Sequence, residues 1–357
     1  VVLKMSDFDY FEVQIILPGM TFQTNKLIEF LKNQELDYED DIEYSVALLD
    51  HHEIVASGSY AGKILKCIAV KNDYKHMGLS SKIISMLVSS QYSRGIDHLF
   101  LFTKHHNEWM FSELGFYKIA ASNSGIILLE NKKNGLKKYI ESLSHYKSNT
   151  SDIGCIVANC NPFTLGHKHL ITYAANKCDL LHVFVVSEDK SIFPSAIRYE
   201  LIEKGTAPIK NIILHYSGDY ILSSATFPSY FIKDKGIVSL IHAQLDLDLF
   251  TQHIAPALGV TKRFVGTEPR CLTTAAYNAA MTSMLPNYGI EVVEIPRLEQ
   301  DGEIISASKV RALIASGHLE KTKAYVPQTT YDFFYSKEGK KILSKIQNTT
   351  IHTHQGR

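Results

Sequence analysis

A chain of 357 residues exceeds the usual span of one hydrophobic core, so two domains are expected. Hydrophobic residues at 45% and charged residues at 21%, with no long Pro, Ser, Gln or Gly tract, exclude a disordered chain. Lys plus Arg equals Asp plus Glu at 37 each, which argues against the broad basic surface that a phosphate backbone requires, so nucleic acid is not an expected partner.

Five cysteines, at 67, 155, 160, 178 and 271, form no CxxC and suit neither a disulfide framework nor a structural zinc site; a reducing cytoplasm is expected. The segment Val1 to Gly19 carries Asp7, Asp9 and Glu12 and reads as folded sequence rather than a signal peptide, and no stretch approaches a membrane span.

In chain order, the first half reads as an α+β domain. A helix over 25–34 precedes a strand pair, 42–49 and 54–59, joined by the polar turn Asp50-His51-His52-Glu53. A strand over 65–70 leads through a loop into a helix with Ile83, Ile84, Leu87 and Val88 on its apolar face. Then come a strand at 98–103, a short helix at 107–114 ended by Gly115, and a strand at 126–129. The stretch 131–152 is rich in Lys, Ser and Asn and reads as a linker, which places the boundary between residues 1–148 and 149–357.

Beyond the linker, strands and helices alternate: strands at 153–158, 180–186 and 212–215, helices at 165–176 and 197–204. Such alternation predicts a parallel sheet with its ligand at the carboxyl ends of the strands. Ile153 to Ala158 has no charged residue, as a strand buried on both faces requires. Asn159-Cys160-Asn161-Pro162-Phe163-Thr164-Leu165-Gly166-His167 follows it at once. Pro162 keeps Asn161 extended, Gly166 permits close approach to the backbone, and His167 falls in the first turn of the next helix, where free N–H groups suit a phosphate. A capping Thr beside a chance His accounts for the same residues. A second segment, Ile305-Ser306-Ala307-Ser308-Lys309-Val310-Arg311, opens a helix that stops at Gly317. Ser306 or Ser308 can cap it, with Arg311 one turn from Ser308; alone it reads equally as an amphipathic helix with an exposed Arg.

Together these segments, about 140 residues apart, resemble the HxGH (here TxGH) and ISxSxxR signatures of the nucleotidyltransferase, or HIGH, superfamily. The resemblance implies a Rossmann-like C-terminal domain in which Asn159, Asn161, Phe163 and Gly166 lie against ATP, and Thr164 and His167 stabilise the α-phosphate. Ile305, Ser306, Ser308 and Arg311 would then hold the β- and γ-phosphates. Lys190 and Arg198 are candidate contacts to phosphate or carboxylate, and Gly266-Thr267-Glu268-Pro269-Arg270 is a candidate lining of the adenosine pocket. Mg²⁺ is expected on the phosphates, with no carboxylate identifiable as its ligand.

In the first half, Lys75-His76-Met77-Gly78-Leu79-Ser80, with Leu114-Gly115-Phe116, resembles the GNAT acetyltransferase fold, whose loop motif is [Q/R]xxGx[G/A]; Lys75 and Ser80 depart from it. The departures favour binding over acetyl transfer. A GNAT-like domain ahead of a TxGH nucleotidyltransferase domain resembles the citrate lyase ligase family over essentially the whole chain. Ser223 to Phe231 and Gly266-Thr267-Glu268-Pro269 strengthen the match. That family implies an acid–thiol ligase that uses ATP and acetate, through acetyl-adenylate, to acetylate the thiol of a CoA-like prosthetic group on the acyl-carrier subunit of citrate lyase, releasing AMP and pyrophosphate. Lys75, Gly78 and Ser80 would hold the CoA-like arm. The alternatives are a tRNA cytidine acetate ligase, a plain adenylyltransferase and a CoA- or nucleotide-sensing binding protein. The tail 349–357, with His352 and His354, reads as disordered rather than as a metal site.

Overall fold

The computed structural model describes residues 10–187, 191–221, 223, 235–268, 272–300 and 302–354. They fall into two compact units, one within Val1–Tyr139 and Ser224–Asp248, the other within Ile140–Ser223 and Leu249–Arg357.

In the first unit, alternating side chains divide a mixed sheet into two buried faces. Strands β1 (Glu12–Ile16), β2 (Tyr44–Asp50), β3 (Glu53–Ala61), β4 (Ile64–Val70), β5 (Phe100–Lys104), β6 (Tyr117–Ala121) and β7 (Ile126–Glu130) pair in the order β1-β2-β3-β4-β5-β7-β6. Ala47 and Leu49 pack with Leu27, Phe30 and Leu31 of α1 (Thr21–Asn33), while Val46 and Leu48 point the other way, into a core with Ile83, Ile84 and Leu87 of α2 (Leu79–Ser93). The crossover through α2 makes β4 and β5 parallel, yet they pair only at Ile64↔Phe100 and Leu65↔Leu101. Past that point the carboxyl halves of both strands border a cavity of about 910 Å³. This is the α+β architecture expected of the first half, extended by β1 and β6, which the sequence reading omits.

Helix α3 (Glu108–Glu113) matches the expected short helix, and α4 (Gly135–Ser144) corrects the reading of 131–152 as linker throughout. Leu136 and Leu143, seven residues apart, are both buried, so the Lys-rich stretch is one face of an amphipathic helix.

In the second unit, β8 (Ile153–Ala158), β9 (Leu180–Val185), β10 (Ile212–Tyr216), β11 (Lys262–Gly266) and β12 (Glu291–Ile295) form a wholly parallel sheet in the order β10-β9-β8-β11-β12. The chain winds outward from β8 to β10 and then returns to the other side of β8, so the order reverses between β8 and β11. That is the switch point where open parallel sheets bind ligands. Here β8 and β11 pair only at Gly154↔Lys262 and Cys155↔Arg263, although β8 runs on to Ala158. The ladder ends early and leaves a crevice at the carboxyl ends.

The helices are α5 (Leu165–Ala175), α6 (Ser195–Thr206), α7 (Lys235–Leu249), α8 (Ala255–Leu258), α9 (Leu272–Met284), α10 (Ala307–Ala315), α11 (Gln328–Phe334) and α12 (Lys337–His354). The hairpin β13 (Glu299–Gln300) and β14 (Glu303–Ile304) precedes α10. The helical backbone through His354 corrects the expectation of a disordered tail from residue 349. No helix among the described residues is long and apolar enough to cross a membrane.

Candidate active site

The crevice is built from the loop after β8 and the first turn of α5. Thr164 is the N-cap, extended at φ −119° and ψ 169°, and its hydroxyl accepts the His167 N–H at 3.4 Å. The imidazole closes the box: Nδ1 accepts the Thr164 N–H at 3.1 Å and lies 2.9 Å from the Thr164 hydroxyl. An acceptor at Nδ1 leaves the ring proton on Nε2, so the neutral ring presents a donor. Burial first, and then the positive charge of Arg297, push the His167 pKa down to about 4, which keeps the ring neutral at physiological pH. The capping reading of TxGH therefore holds, and the cap is what fixes the ring.

The second motif meets the first. A Cβ added at Gly166 would lie 3.1 Å from the Ile305 carbonyl oxygen, so glycine is what allows the segment before α10 to press on the first turn of α5. Of the two candidate caps, Ser306 takes the role, accepting the Lys309 N–H at 3.2 Å. Arg311 donates to the Asn161 carbonyl and, at 3.1 Å, to the Ser308 hydroxyl, tying α10 to the loop after β8. Asn161 in turn accepts the Phe193 N–H at its side-chain oxygen, at 3.0 Å. The Leu165 N–H is taken by the Tyr325 carbonyl at 2.9 Å. Thus Asn161, Thr164, Gly166, His167, Ile305, Ser306, Ser308 and Arg311 share one neighbourhood.

Two residues expected at the ligand act beneath it instead. Arg198 is wholly buried and donates to the carbonyls of Phe193 at 2.8 Å, Asn159 at 2.9 Å and Val186 at 2.6 Å, and to the Asn159 side-chain oxygen at 2.8 Å. It fastens the loops after β8 and β9 rather than meeting a phosphate. Phe163 is likewise buried, with the Gly205 backbone so close that a Cβ there would come within 2.4 Å of the ring; it lies parallel to the His167 imidazole, centroids 6.1 Å apart. Asn159 is exposed and bonds Ser191 through its Nδ2, at 3.1 Å.

Gly266 ends β11 with open space on its Cβ side, and Thr267 accepts the Arg297 Nε–H at 2.6 Å. Arg297 also pairs with Glu268. Arg297 was missed in the sequence, though a residue just past the carboxyl end of a parallel strand stands where ligands bind. Lys190, Pro269, Arg270 and the stretch 224–231 lie outside the described residues. Among the described residues no group of three or more His, Cys, Asp or Glu side chains is placed to hold a metal ion.

In the first unit, Lys75, Gly78 and Ser80 all line the cavity beyond β4 and β5, with Val70, Phe102 and Met110 among its apolar wall. Gly78, at φ 74°, is the N-cap of α2 and supplies no side-chain cap to its first turn.

The family described as "Citrate lyase ligase C-terminal domain" matches residues 153–334. Over 308 residues the chain is 43% identical to "[Citrate [pro-3S]-lyase] ligase" of Klebsiella pneumoniae, covering 85% of this chain and 90% of that one. The protein of the same name from Escherichia coli K12 is 40% identical over 335 residues, 92% of each chain. The chain belongs to the citrate lyase ligase family. Like the other members it is a ligase, and the expected fold class and enzyme class both hold. Solved structures similar to part of this chain include Escherichia coli ElaA, 11% identical with a TM-score of 0.31, over 34% of this chain and 99% of that chain. A GNAT family acetyltransferase from Staphylococcus aureus Mu50 is 18% identical with a TM-score of 0.28, over 34% of this chain and all of the other.

Proposed function

We propose that the domain expected over residues 149–357 joins ATP and acetate as acetyl-adenylate and passes the acetyl group to the thiol of a CoA-like prosthetic group on the acyl-carrier subunit of citrate lyase. The observation that carries this reading is the contact of Gly166 with the Ile305 carbonyl, which sets the TxGH loop and the ISxSxxR helix on one crevice at the switch point. Family membership supports citrate lyase as the protein acted upon.

The chemistry follows from the donors. An acetate oxygen attacks the α-phosphorus and the bond to the β-phosphate breaks, with pyrophosphate leaving. The Nε2–H of His167 faces the charge that builds at the α-phosphate, with the Thr164 hydroxyl holding the ring at Nδ1, and Ser306, Ser308 and Arg311 hold the departing pyrophosphate. The thiol, losing its proton, then attacks the acetyl carbon and AMP departs. When bound, Mg²⁺ would supply neutralising charge to the triphosphate, with no described side-chain cluster assigned to hold it. Positioning and charge stabilisation provide the acceleration, so no cysteine is required as a nucleophile. The described cysteines, Cys67, Cys155, Cys160 and Cys178, are free thiols, which supports a reducing cytoplasm as the setting.

In the first unit, the loop Lys75 to Ser80 grips the phosphates of the CoA-like arm, supported by the uncapped start of α2 and the cavity beside it. Gly78 has a positive φ and tolerates no side chain without strain, so Lys75, at φ −61°, is the better probe. Lys75→Glu is expected to slow acetylation of the lyase while leaving acetate-dependent pyrophosphate release intact.

The deciding experiment measures pyrophosphate release from ATP and Mg²⁺ with and without acetate, then with deacetylated citrate lyase, for the wild type and His167→Ala. Acetate-dependent release lost in His167→Ala, with AMP accumulating once the thiol lyase is added, is the expected result. Turnover indifferent to acetate and lyase points to another adenylyl acceptor.

A further inference from the structure

We propose that Arg297 binds the carboxylate of the acyl substrate beside the α-phosphate, and so selects a small carboxylate as the attacking group. This rests on the ligase reading above, and deepens it by assigning the nucleophile's subsite.

Three observations place Arg297 there. The first is its anchorage. It follows β12 at the carboxyl end of the sheet, and the carbonyl of the next residue, Leu298, accepts the Ile305 N–H at 2.9 Å. Ile305 is the residue whose carbonyl abuts Gly166, so Arg297 hangs from the knot that joins the two motifs.

The second is the state of the guanidinium. Nε donates to the Thr267 carbonyl at 2.6 Å and Nη2 to the Glu268 carboxylate, which fixes the plane of the group; Thr267 is itself held by its N–H to the Ile295 carbonyl at 3.0 Å. The side chain is 29% exposed, and Nη1 has no hydrogen-bond partner among the described residues. A planar fork with donors to spare matches a carboxylate, and one carboxylate already sits on it. Its charge also reaches the reacting centre, since it helps to hold the His167 pKa down.

The third is the employment of the other cations. Arg198 is spent on backbone carbonyls and Lys309 on Glu303 at 2.6 Å, while Arg311, beside Ser308, is assigned to the departing pyrophosphate. An anionic nucleophile approaching a triphosphate is repelled unless a further positive charge receives it, and Arg297 is the described cation placed to do so. The rival account is that Arg297 and Glu268 merely tie the ends of β11 and β12 together.

The test uses the full chain and Arg297→Gln, Arg297→Lys and Glu268→Gln. Pyrophosphate release is titrated with acetate at saturating ATP, then with ATP at saturating acetate. Arg297→Gln is expected to raise the acetate KM roughly tenfold or more, with the ATP KM changed by less than about twofold. Arg297→Lys, which keeps the charge without the fork, should give a smaller rise in the acetate KM alone, and stands in if the Gln variant does not fold. Glu268→Gln breaks the tie but keeps the guanidinium, and should not reproduce the rise. An unchanged acetate KM in the Arg297 variants overturns the assignment, as does an equal rise for Glu268→Gln or a parallel rise in both KM values with a lowered Tm. If the wild type ignores acetate, the ligase reading falls and this proposal with it; if the wild type requires acetate, those outcomes overturn the Arg297 assignment alone.

Discussion

His167 performs two tasks with its two ring nitrogens. Nδ1 completes the cap of α5 and, in the function proposed above, Nε2–H meets the substrate, so His167→Ala is expected to reduce pyrophosphate release by roughly 10²–10³-fold, as loss of a positioned donor does elsewhere. Its pKa of about 4 means the ring is neutral well below the ordinary histidine value of 6.5. A pH profile of kcat/KM should therefore show no acid limb from His167 near 6.5; the limb belongs near 4, where protonation removes the acceptor at Nδ1. Arg198 gives a contrasting case. Arg198→Leu leaves the carbonyls of Phe193, Asn159 and Val186 without their donor, at a cost of about 1–3 kcal/mol for each group left unsatisfied, so a lowered Tm and a raised ATP KM are expected together. The sequence marked Arg198 as a phosphate contact because a basic residue beside a binding loop suggests one. The spacing held the other signal: Arg198, Leu201, Ile202 and Gly205 share the buried face of α6.

Among the elements, β8, α5, β9 and β10 were legible because a charge-free strand, a 3.6-residue apolar rhythm and a glycine-bearing loop each leave a pattern in the residues themselves. β1 was not, since Val13 and Ile15 on this edge strand are exposed and break the inside–outside alternation. The motifs could be found separately, but the Gly166–Ile305 contact is tertiary and has no local trace. Phe163 was misplaced at the ligand for the same reason. Its partner, Gly205, sits on another helix, and the fit is tight enough that Gly205→Ala must displace the ring. Overpacking of this kind typically costs about 1–3 kcal/mol. Both the urea midpoint and acetate-dependent turnover should fall in Gly205→Ala, whereas Ala→Gly at the exposed Ala312 of α10 should cost stability without moving turnover to the same degree.

The molecule as a whole carries an acid-sensitive pair that the proposed chemistry does not use. His182 on β9 and His215 on β10 are buried with His182 Nδ1 and His215 Nε2 2.9 Å apart, and the Nε2 of His182 has no partner among the described residues. Burial pushes both pKa values down to about 4, His182 adding to the effect at His215. The unfolded chain takes up these protons near pH 6.5 and the folded chain only near 4. Stability should therefore be level above about pH 6.5 and fall as the pH drops toward 4, by up to about 1.4 kcal/mol per pH unit for each proton. Urea midpoints between pH 7.5 and 4.5 test this, and a midpoint that rises on acidification contradicts it. A different consequence follows from the bond between the Leu165 N–H and the Tyr325 carbonyl. The start of α5 is tied to a residue beyond the ISxSxxR helix, so a fragment ending at Gly317 would hold both signatures and still lack that tie. During synthesis, too, the start of α5 stays untied until Tyr325 has left the ribosome, so the first turn of α5 takes its final form only after the whole of α10 has emerged.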